Sequence, residues 1–164
     1  MTENKGIMLV VSGPAGSGKG TVNAMLLKRD DFAFSVSATT RAPRVGDEDG
    51  VNYFFISKEQ FLEQIDQNGF LEYAVYNNNF YGTPRKFVEE KLASGKNVIL
   101  EIEVQGALQI KDVYPEAVLV FILPPSMEEL RARLSGRGTE TPDVVERRLG
   151  EAAKEISFVK QYDY

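Results

Sequence analysis

The feature that most constrains the fold is a glycine-rich turn between an apolar run and a lysine near the start of the chain. The apolar run reads IMLVV over residues 7–11, and the turn after it reads SGPAGSGKGT over residues 12–21. Glycines at this density let several backbone N–H groups point inward, and a helix starting at Lys19 directs the positive end of its dipole to the same point. The stretch therefore predicts a strand, a phosphate-binding turn and a helix.

The phosphate-binding turn (residues 12–21) departs from the pattern G-x-x-x-x-G-K-[ST] at one position. Gly20 follows Lys19, and the hydroxyl arrives one place later, at Thr21. In this interpretation Lys19 contacts the β- and γ-phosphates of a nucleotide, and Thr21 is available on the metal side. A purely structural glycine turn is the alternative, but it gives no reason for a lysine and hydroxyls at these spacings. The candidate nucleotide-binding residues are Gly13, Pro14, Ala15, Gly16, Ser17, Gly18, Lys19, Gly20 and Thr21.

Composition narrows the chemistry and the partners. The 164 residues suit one domain, and a net charge of −5 argues against general nucleic-acid binding. The chain has no Cys and no His, so disulfides, thiolate metal sites and histidine catalysis are excluded, and reactive groups must be carboxylates, Lys, Arg and hydroxyls. The sequence shows neither a signal peptide nor an apolar run near the ~20 residues of a membrane span, so we expect a cytoplasmic protein without a membrane partner.

Strand-like and helix-like segments alternate along the chain, which predicts a parallel α/β sheet with right-handed connections. Predicted sheet strands are 7–11, 32–37, 98–104 and 118–123, and predicted helices around them are 19–29, 105–113, 127–134 and 143–161. The last two strands are continuous apolar runs, as expected for strands buried on both faces.

Residues 37–95 predict a smaller, mixed region. A strand is expected at 53–56, then a helix capped by Ser57 with Gln60, a strand at 70–76, a turn at 77–79 and a helix opening at Thr83-Pro84. Its first part, residues 37–53, is a hydroxyl-rich loop in which Arg41 and Arg44 stand three apart across a proline. Two guanidinium forks aimed at one point suit a phosphate, although a solvated basic loop is the plain alternative.

Taken together, these segments resemble guanylate kinase, the nucleoside monophosphate kinase that moves a phosphoryl group from ATP to GMP. The resemblance covers essentially the whole chain. It is carried by the ordered set 13–21, 37–53, 72–73, 81–83, 100–106 and 133–141. It implies a P-loop NTPase-like parallel sheet flanked by helices, formed by about 1–36, 96–126 and 151–164. It also implies an inserted mixed α+β GMP-binding lobe at about 37–95 and a helical lid at about 127–150.

The resemblance also implies roles for individual residues. Arg41, Arg44, Tyr53 and Tyr81 would hold the GMP phosphate, while Ser37, Glu72, Thr83 and Glu103 would address the guanine. A carboxylate can accept from guanine N1–H and the exocyclic amine together, which adenine does not offer. Taken alone, Glu72 could instead face solvent, and the two tyrosines could be half-buried aromatics. Glu103 stands where many relatives carry Asp, one methylene longer with the same charge.

Two further groups complete the expected site. Glu101, at the end of a buried strand, could hold a water on magnesium or be a plain edge carboxylate, and both interpretations stay open. By resemblance Arg133, Arg137 and Arg148 belong to the lid over ATP, whereas Arg131 and Arg147 are expected to be solvated. The expected catalytic residues are Lys19, Arg41, Arg133, Arg137 and Arg148, with Mg²⁺ as cofactor and no general base, because the GMP phosphate itself attacks.

The expected reaction, ATP and GMP to ADP and GDP, is a step of guanine nucleotide synthesis and recycling. Two alternatives remain: a non-catalytic guanylate-kinase-like interaction module, and a related kinase acting on another phosphate. The intact turn and lid arginines argue against the first, and Glu72 with Ser37 and Thr83 argues against the second. Residues 162–164 read as the start of a strand, so we expect the natural polypeptide to continue into a strand and a closing helix.

Overall fold

The computed structural model of the protein describes residues 5–138 and 140–164. Its strands are β1 (Met8–Ser12), β2 (Phe32–Phe34), β3 (Ala38–Thr39), β4 (Phe54–Phe55), β5 (Phe70–Tyr76), β6 (Asn79–Pro84), β7 (Asn97–Glu101) and β8 (Val118–Phe121). Its helices are α1 (Lys19–Leu26), α2 (Lys58–Asp66), α3 (Arg85–Ala93), α4 (Val104–Val113), α5 (Met127–Gly136) and α6 (Pro142–Ile156), and a 3₁₀ turn follows at Val159–Gln161. In this part of the chain, no helix is both long and apolar enough to cross a membrane.

The core is a parallel sheet with strand order β2-β7-β1-β8, which confirms the predicted α/β architecture. Met8 lies beside Val98, and Leu9 lies beside Val118. The apolar strands are buried because helices cover them. One core cluster comprises Met8, Val10, Leu71, Val88, Leu92, Val98, Leu100, Ala107, Ile110, Ala117 and Leu119. The carboxyl ends of β1 and β7 therefore emerge together at one edge of the sheet, where the phosphate-binding turn begins.

A second sheet, ordered β4-β3-β6-β5, forms the lobe inserted between β2 and α3. Its hairpin joins β5 to β6 through Asn77 and Asn78, which have φ of 47° and 61°, the conformation that a two-residue hairpin turn requires. Helix α2 starts with the predicted capping box, in which Ser57 and Gln60 exchange hydrogen bonds. Phe61 from this helix stacks on Phe70 of the sheet with ring centroids 4.4 Å apart, which gives the lobe its own small core.

Helices α5 and α6, the predicted lid, pack against each other. Their shared cluster consists of Leu130, Leu134, Val145, Leu149 and Ala152. Ser126 caps α5 by accepting a hydrogen bond from Glu129 N at 3.0 Å. The pair is therefore a two-helix unit with a core distinct from those of both sheets.

The predicted boundaries were wrong in a few places, each for a local reason. The strand predicted to run to Val104 ends at Glu101, because Glu103 adopts the extended N-cap conformation and α4 starts at Val104. Thr83 lies in β6 and not at a helix start, since the pairing with β5 continues to Pro84 and α3 begins after it.

The last predicted helix also ends earlier than expected, at Ile156, where a short 3₁₀ turn takes over. Beyond it the backbone of Tyr164 runs along β8. Phe121 N donates to Tyr164 O at 2.8 Å, and Tyr164 N donates to Leu119 O at 3.1 Å. This alternating pattern is the one made by a parallel strand, in line with the strand-like character read from these residues.

Candidate active site

The phosphate-binding turn has the backbone that its glycines predict. Gly13 has a φ of 147° and Gly18 a φ of 108°, and Gly18 forms the N-cap of α1 in the left-handed conformation. A side chain at Gly13 would collide with Ile122 O, so only glycine lets β1 turn this close to the end of β8. The first N–H groups of α1 consequently face the space above the sheet, where they can bind an anion.

Lys19 folds back over this turn. Its Nζ donates to Gly13 O at 2.5 Å and to Pro14 O at 3.1 Å. Burial lowers the pKa of the Lys19 ammonium, while the nearby carboxylates of Glu101 and Glu155 act in the opposite direction. The ammonium group is therefore held at the mouth of the turn, where a phosphate could replace the two carbonyl partners.

Glu101, at the carboxyl end of β7, faces the same turn. Asn23 on α1 donates from Nδ2 to Glu101 Oε2 at 2.7 Å, which fixes the carboxylate against the first helix. Asn23 Oδ1 and Ser17 Oγ are buried there without a hydrogen-bond partner, whereas Thr21 is exposed. Over residues 5–138 and 140–164 no group of three or more acidic side chains could hold a metal ion. The protein thus offers oxygen atoms at this place but no complete metal cage.

Helix α5 lies directly on the phosphate-binding turn. A Cβ at Gly16 would be 3.3 Å from Leu130, and Arg133 donates to Gly16 O at 3.2 Å and to Glu129 at 3.0 Å. The charge of Arg137 is close enough to contribute to the lowered pKa of Lys19. Two of the three predicted lid arginines therefore approach the turn.

The third predicted lid arginine, Arg148, is held within the lid. It forms an ion pair with Glu140. Arg131 pairs in the same way with Glu146, and both of these side chains are largely exposed, as predicted for Arg131. The charge of Arg148 is therefore paired with a carboxylate of the lid itself.

Arg41 is organised by an acid that the sequence analysis missed. Its guanidinium donates to Asp47 Oδ2 at 3.0 Å, and the same oxygen accepts from Arg44 N at 2.8 Å. The hydrogen bond from Arg44 N is the largest influence on the Asp47 carboxyl. Together with the Arg41 guanidinium, it lowers the pKa of Asp47 below its ordinary value. Gly46-Asp47 is a recognisable turn signal, so the contact between Asp47 and Arg44 is local. Nothing in the local sequence links Asp47 to Arg41.

The predicted tyrosines surround the same arginine. The Arg41 guanidinium lies 5.4 Å from the centre of the Tyr53 ring, and the rings of Tyr53 and Tyr81 meet edge to face at 5.8 Å. Burial raises the pKa of Tyr53. Arg44 has an exposed side chain in the adjoining loop. Arg41, Tyr53 and Tyr81 therefore lie together in the lobe, and Arg44 lies in the loop beside them.

Glu72 and Thr83 form a buried pair. They are opposite one another on β5 and β6, and Thr83 Oγ1 donates to Glu72 Oε1 at 2.6 Å. Glu72 is 6% exposed, so the interpretation of this residue as solvent-facing is wrong. Burial raises the pKa of Glu72 to about 7, against the hydrogen bonds from Thr83. Ser37, half-buried at the start of the neighbouring strand, pairs its carbonyl with Phe54 N at 2.9 Å.

Glu103 connects the two halves of the site. The residue is exposed, yet the surrounding protein partly desolvates its carboxyl, and this, with the charges of Glu155, Glu72 and Glu151, raises the pKa of Glu103 to about 7. Lys19 acts in the opposite direction. Glu151 and Glu155 belong to α6 and were not predicted as site residues. Glu103 is thus within electrostatic reach of both the phosphate-binding turn and the Glu72 pocket.

Comparison with known proteins agrees with this geometry. A family model described as guanylate kinase matches residues 5–164. The chain belongs to the guanylate kinase family. The guanylate kinase of Halalkalibacterium halodurans is 54% identical across 100% of this chain and 81% of its own length. The guanylate kinase of Clostridioides difficile is 58% identical across 100% of this chain and 80% of its own length.

The fold agrees as well. The crystal structure of guanylate kinase from Anaplasma phagocytophilum is similar with a TM-score of 0.78 and 37% identity, over 98% of this chain and 76% of that one. These findings confirm the resemblance, the P-loop NTPase-like α/β fold and the assignment to the nucleoside monophosphate kinases, which are phosphotransferases. Both of the relatives compared above carry the name guanylate kinase.

Proposed function

We propose that this chain transfers the γ-phosphoryl group of ATP to GMP, giving ADP and GDP. The observation that supports it most is that the segment 101–106 contacts both regions: Glu101 accepts a hydrogen bond from Asn23 on α1, and Gly106 lies against Glu72. The phosphate-binding turn and the buried Glu72 carboxylate therefore lie beside the same short segment of the chain. Donor and acceptor nucleotides bound at these two places would meet with their phosphates between them, which is the arrangement that direct phosphoryl transfer needs.

The base of the acceptor would be read by Glu72, Ser37, Thr83 and Glu103. Thr83 donates its hydroxyl proton to Glu72 Oε1, which orients the carboxylate. As an ionised acceptor, Glu72 could take both the N1–H and the exocyclic amine of guanine. Adenine presents no such pair of donors, so a buried carboxylate favours guanine and penalises adenine, which would leave it unpaired.

The phosphate of GMP would be bound by Arg41, Arg44, Tyr53 and Tyr81. Arg41 uses one N–H on Asp47 and another on Ala42 O, and a guanidinium has five, so donors remain for a phosphate. Because the phosphate is itself the nucleophile, no side chain has to act as a base, and the chain in fact lacks His and Cys. Lys19, Arg41, Arg133, Arg137 and Arg148 would neutralise charge on the transferring group.

The residues at the turn also fit a role for Mg²⁺. Magnesium prefers oxygen ligands, keeps several waters and takes others from nucleotide phosphates. Glu101, fixed by Asn23, and the hydroxyl of Thr21 would hold it, directly or through water, and the unpartnered Asn23 Oδ1 and Ser17 Oγ suit a hydrated site. When bound, the ion would supply positive charge that reduces the repulsion the attacking phosphate meets.

The lobe and the lid would close over the two nucleotides, so that the arginines arrive together with the substrates and water is excluded. In the cell this activity would serve guanine nucleotide synthesis and recycling in the cytoplasm.

A panel of nucleoside monophosphates tests the proposal directly. ADP formation from ATP and Mg²⁺ is measured by a coupled assay with GMP, AMP, CMP or UMP as acceptor. GMP should be preferred over AMP by at least about 100-fold in kcat/KM, since the buried carboxylate loses both partners with adenine. Equal use of AMP, or no ADP formation above the ATP-only rate, would overturn the assignment to GMP.

A further inference from the structure

One side of the Glu72 carboxylate rests directly on helix α4. Oε1 accepts a hydrogen bond from the Thr83 hydroxyl, and Oε2 lies against the backbone of Gly106. A Cβ added at Gly106 would overlap Oε2 and would be 2.9 Å from Glu72 Cδ. Gly106 is in the regular part of the helix without a positive φ, so its backbone does not require glycine. Glycine is therefore needed at this position because it leaves room beside its Cα for the Glu72 carboxylate.

The same helix also holds the strand that carries Glu72. β5 is at the end of the lobe sheet, so one edge of its backbone has no strand partner. Gln109, one turn beyond Gly106, takes that place. Its Nε2 donates to Tyr73 O at 3.1 Å, and its Oε1 accepts from Tyr73 N at 3.4 Å. On the other side of Glu72, Leu71 packs in the core cluster with Ala107 and Ile110 of α4.

We propose that Gly106 and Gln109 are positioning residues that set the guanine selectivity of the site by fixing the Glu72 carboxylate. This inference rests on the proposed function, since it gives Glu72 the guanine as its ligand. The carboxylate is confined between the hydroxyl of Thr83 on one side and the bare backbone of Gly106 on the other. Gln109 fixes the adjacent residue, so the strand cannot rotate Glu72 away from this position.

Gly106→Ala is an informative substitution because its two effects are separable. In a helix, alanine is intrinsically more favourable than glycine, so the backbone should tolerate the change. The methyl group instead meets the far end of a flexible side chain, and the least costly response is a displacement of the Glu72 carboxylate. That displacement breaks the Thr83 bond and misaligns the carboxylate for guanine.

The experiment measures kcat/KM for GMP and for IMP, and KM for ATP, in four proteins: wild type, G106A, E72A and the double variant. IMP keeps the N1–H but lacks the exocyclic amine, so it depends less on the exact position of Glu72. We expect G106A to lower kcat/KM for GMP by about 30-fold and the GMP-to-IMP ratio by about tenfold, with KM for ATP within about twofold of wild type. In the E72A background, G106A should change kcat/KM for GMP by less than about twofold, because there is no carboxylate left to displace.

Gln109→Ala tests the positioning role without adding any atom that would collide with the Glu72 carboxylate. It should lower the GMP-to-IMP ratio in the same direction by a smaller factor, whereas the control Gln67→Ala should not. Gln67 also makes a side-chain hydrogen bond, to Glu63 on α2 at 3.1 Å, but away from Glu72. Thermal denaturation of each variant reports folding separately.

The outcomes separate this inference from the proposed function. If E72A is strongly impaired with GMP but G106A is equally harmful with and without Glu72, or leaves the GMP-to-IMP ratio unchanged, the positioning role is wrong and the proposed function stands. If E72A uses GMP as well as wild type does, the assignment of guanine to Glu72 fails, and the positioning role fails with it.

Discussion

Tyr76 donates a hydrogen bond from its hydroxyl to Glu151 Oε2 at 3.0 Å, across 75 positions of the chain. Tyr76 ends β5 in the lobe, and Glu151 lies in α6, so this bond joins the lobe to the helical unit directly. Burial, followed by this bond, raises the pKa of the Tyr76 hydroxyl to about 12, so it remains a donor at all physiological pH values. The lobe and the helical unit, which we propose close over the nucleotides, thus already meet at the hairpin.

Tyr76→Phe should loosen this meeting point without unfolding the protein. One exposed hydrogen bond contributes about 1 kcal/mol, so Tm should change little, while amide exchange in the hairpin at residues 76–79 should become several-fold faster. Tyr73→Phe, on the exposed side of the same strand, is the matched control. Identical exchange rates for both variants would show that the bond does not restrain the lobe.

Lys19→Ala should abolish phosphoryl transfer while leaving the fold intact. The variant loses the charge that faces the transferring phosphates, which we expect to lower kcat by about 1,000-fold or more. It also frees the carbonyls of Gly13 and Pro14, which costs about 1 kcal/mol of stability at most. Lys28→Ala, an exposed lysine beyond the end of α1, is the control. Activity of K19A within threefold of wild type would contradict the role of the turn.

Arg44→Ala should raise KM for GMP much more than KM for ATP. Its exposed side chain stands in the loop that Asp47 ties to Arg41, away from the ATP side. We expect a rise of about tenfold or more for GMP and less than about twofold for ATP, as for a lost charge-assisted phosphate contact. Steady-state kinetics with each nucleotide varied in turn decides it, with Arg29→Ala as control. Equal effects on both nucleotides would remove Arg44 from the acceptor site.

Glu72→Gln should make the protein more stable at pH 8. The pKa of Glu72 is raised from 4.5 to about 7, so the unfolded chain releases this proton at lower pH than the folded protein does. Between these pH values stability falls as pH rises, and above them the ionised Glu72 lowers the free energy of unfolding by about 3 kcal/mol, a cost that Gln avoids. The gain should vanish near pH 4, where both states are protonated.

Urea unfolding of E72Q and wild type at pH 4 and pH 8 measures this difference, with the exposed Glu59→Gln as control. The same substitution should lower kcat/KM for GMP, since Gln cannot accept both guanine protons, and wild-type kcat/KM should rise between pH 6 and pH 8. An E72Q protein that is less stable than wild type at pH 8 would show that ionisation of the buried carboxyl does not destabilise the folded protein.

Much of the fold follows from local rules. The capping box of α2 and the extent of β5 were predicted correctly, because neighbouring residues determine them. The boundary after Glu101 was not, since Ile102 and Val104 continue the apolar alternation of a strand. Only the packing of α4 against the sheet decides that the helix starts there.

The site shows the same division. Lys19 and Glu72 were predicted from a motif and a family resemblance; in the structure Lys19 lies over the glycine turn and Glu72 forms a buried pair with Thr83. Asp47, Gly106 and Gln109 were not predicted, because each acts through a contact with a side chain or backbone group elsewhere in the chain. Sequence spacing carries no sign of such contacts.

The order of strands in the core sheet also determines when the phosphate-binding turn can become ordered. β1 lies between β7 and β8, so its pairing partners come from residues 97–101 and 118–121. Ser12 O accepts from Ile122 N at 2.8 Å, and Gly13 rests against the carbonyl of the same residue. During synthesis, the ribosome must therefore deliver more than a hundred further residues before the turn gains its neighbours. The phosphate-binding turn is thus among the first segments to be translated and among the last to reach its folded conformation.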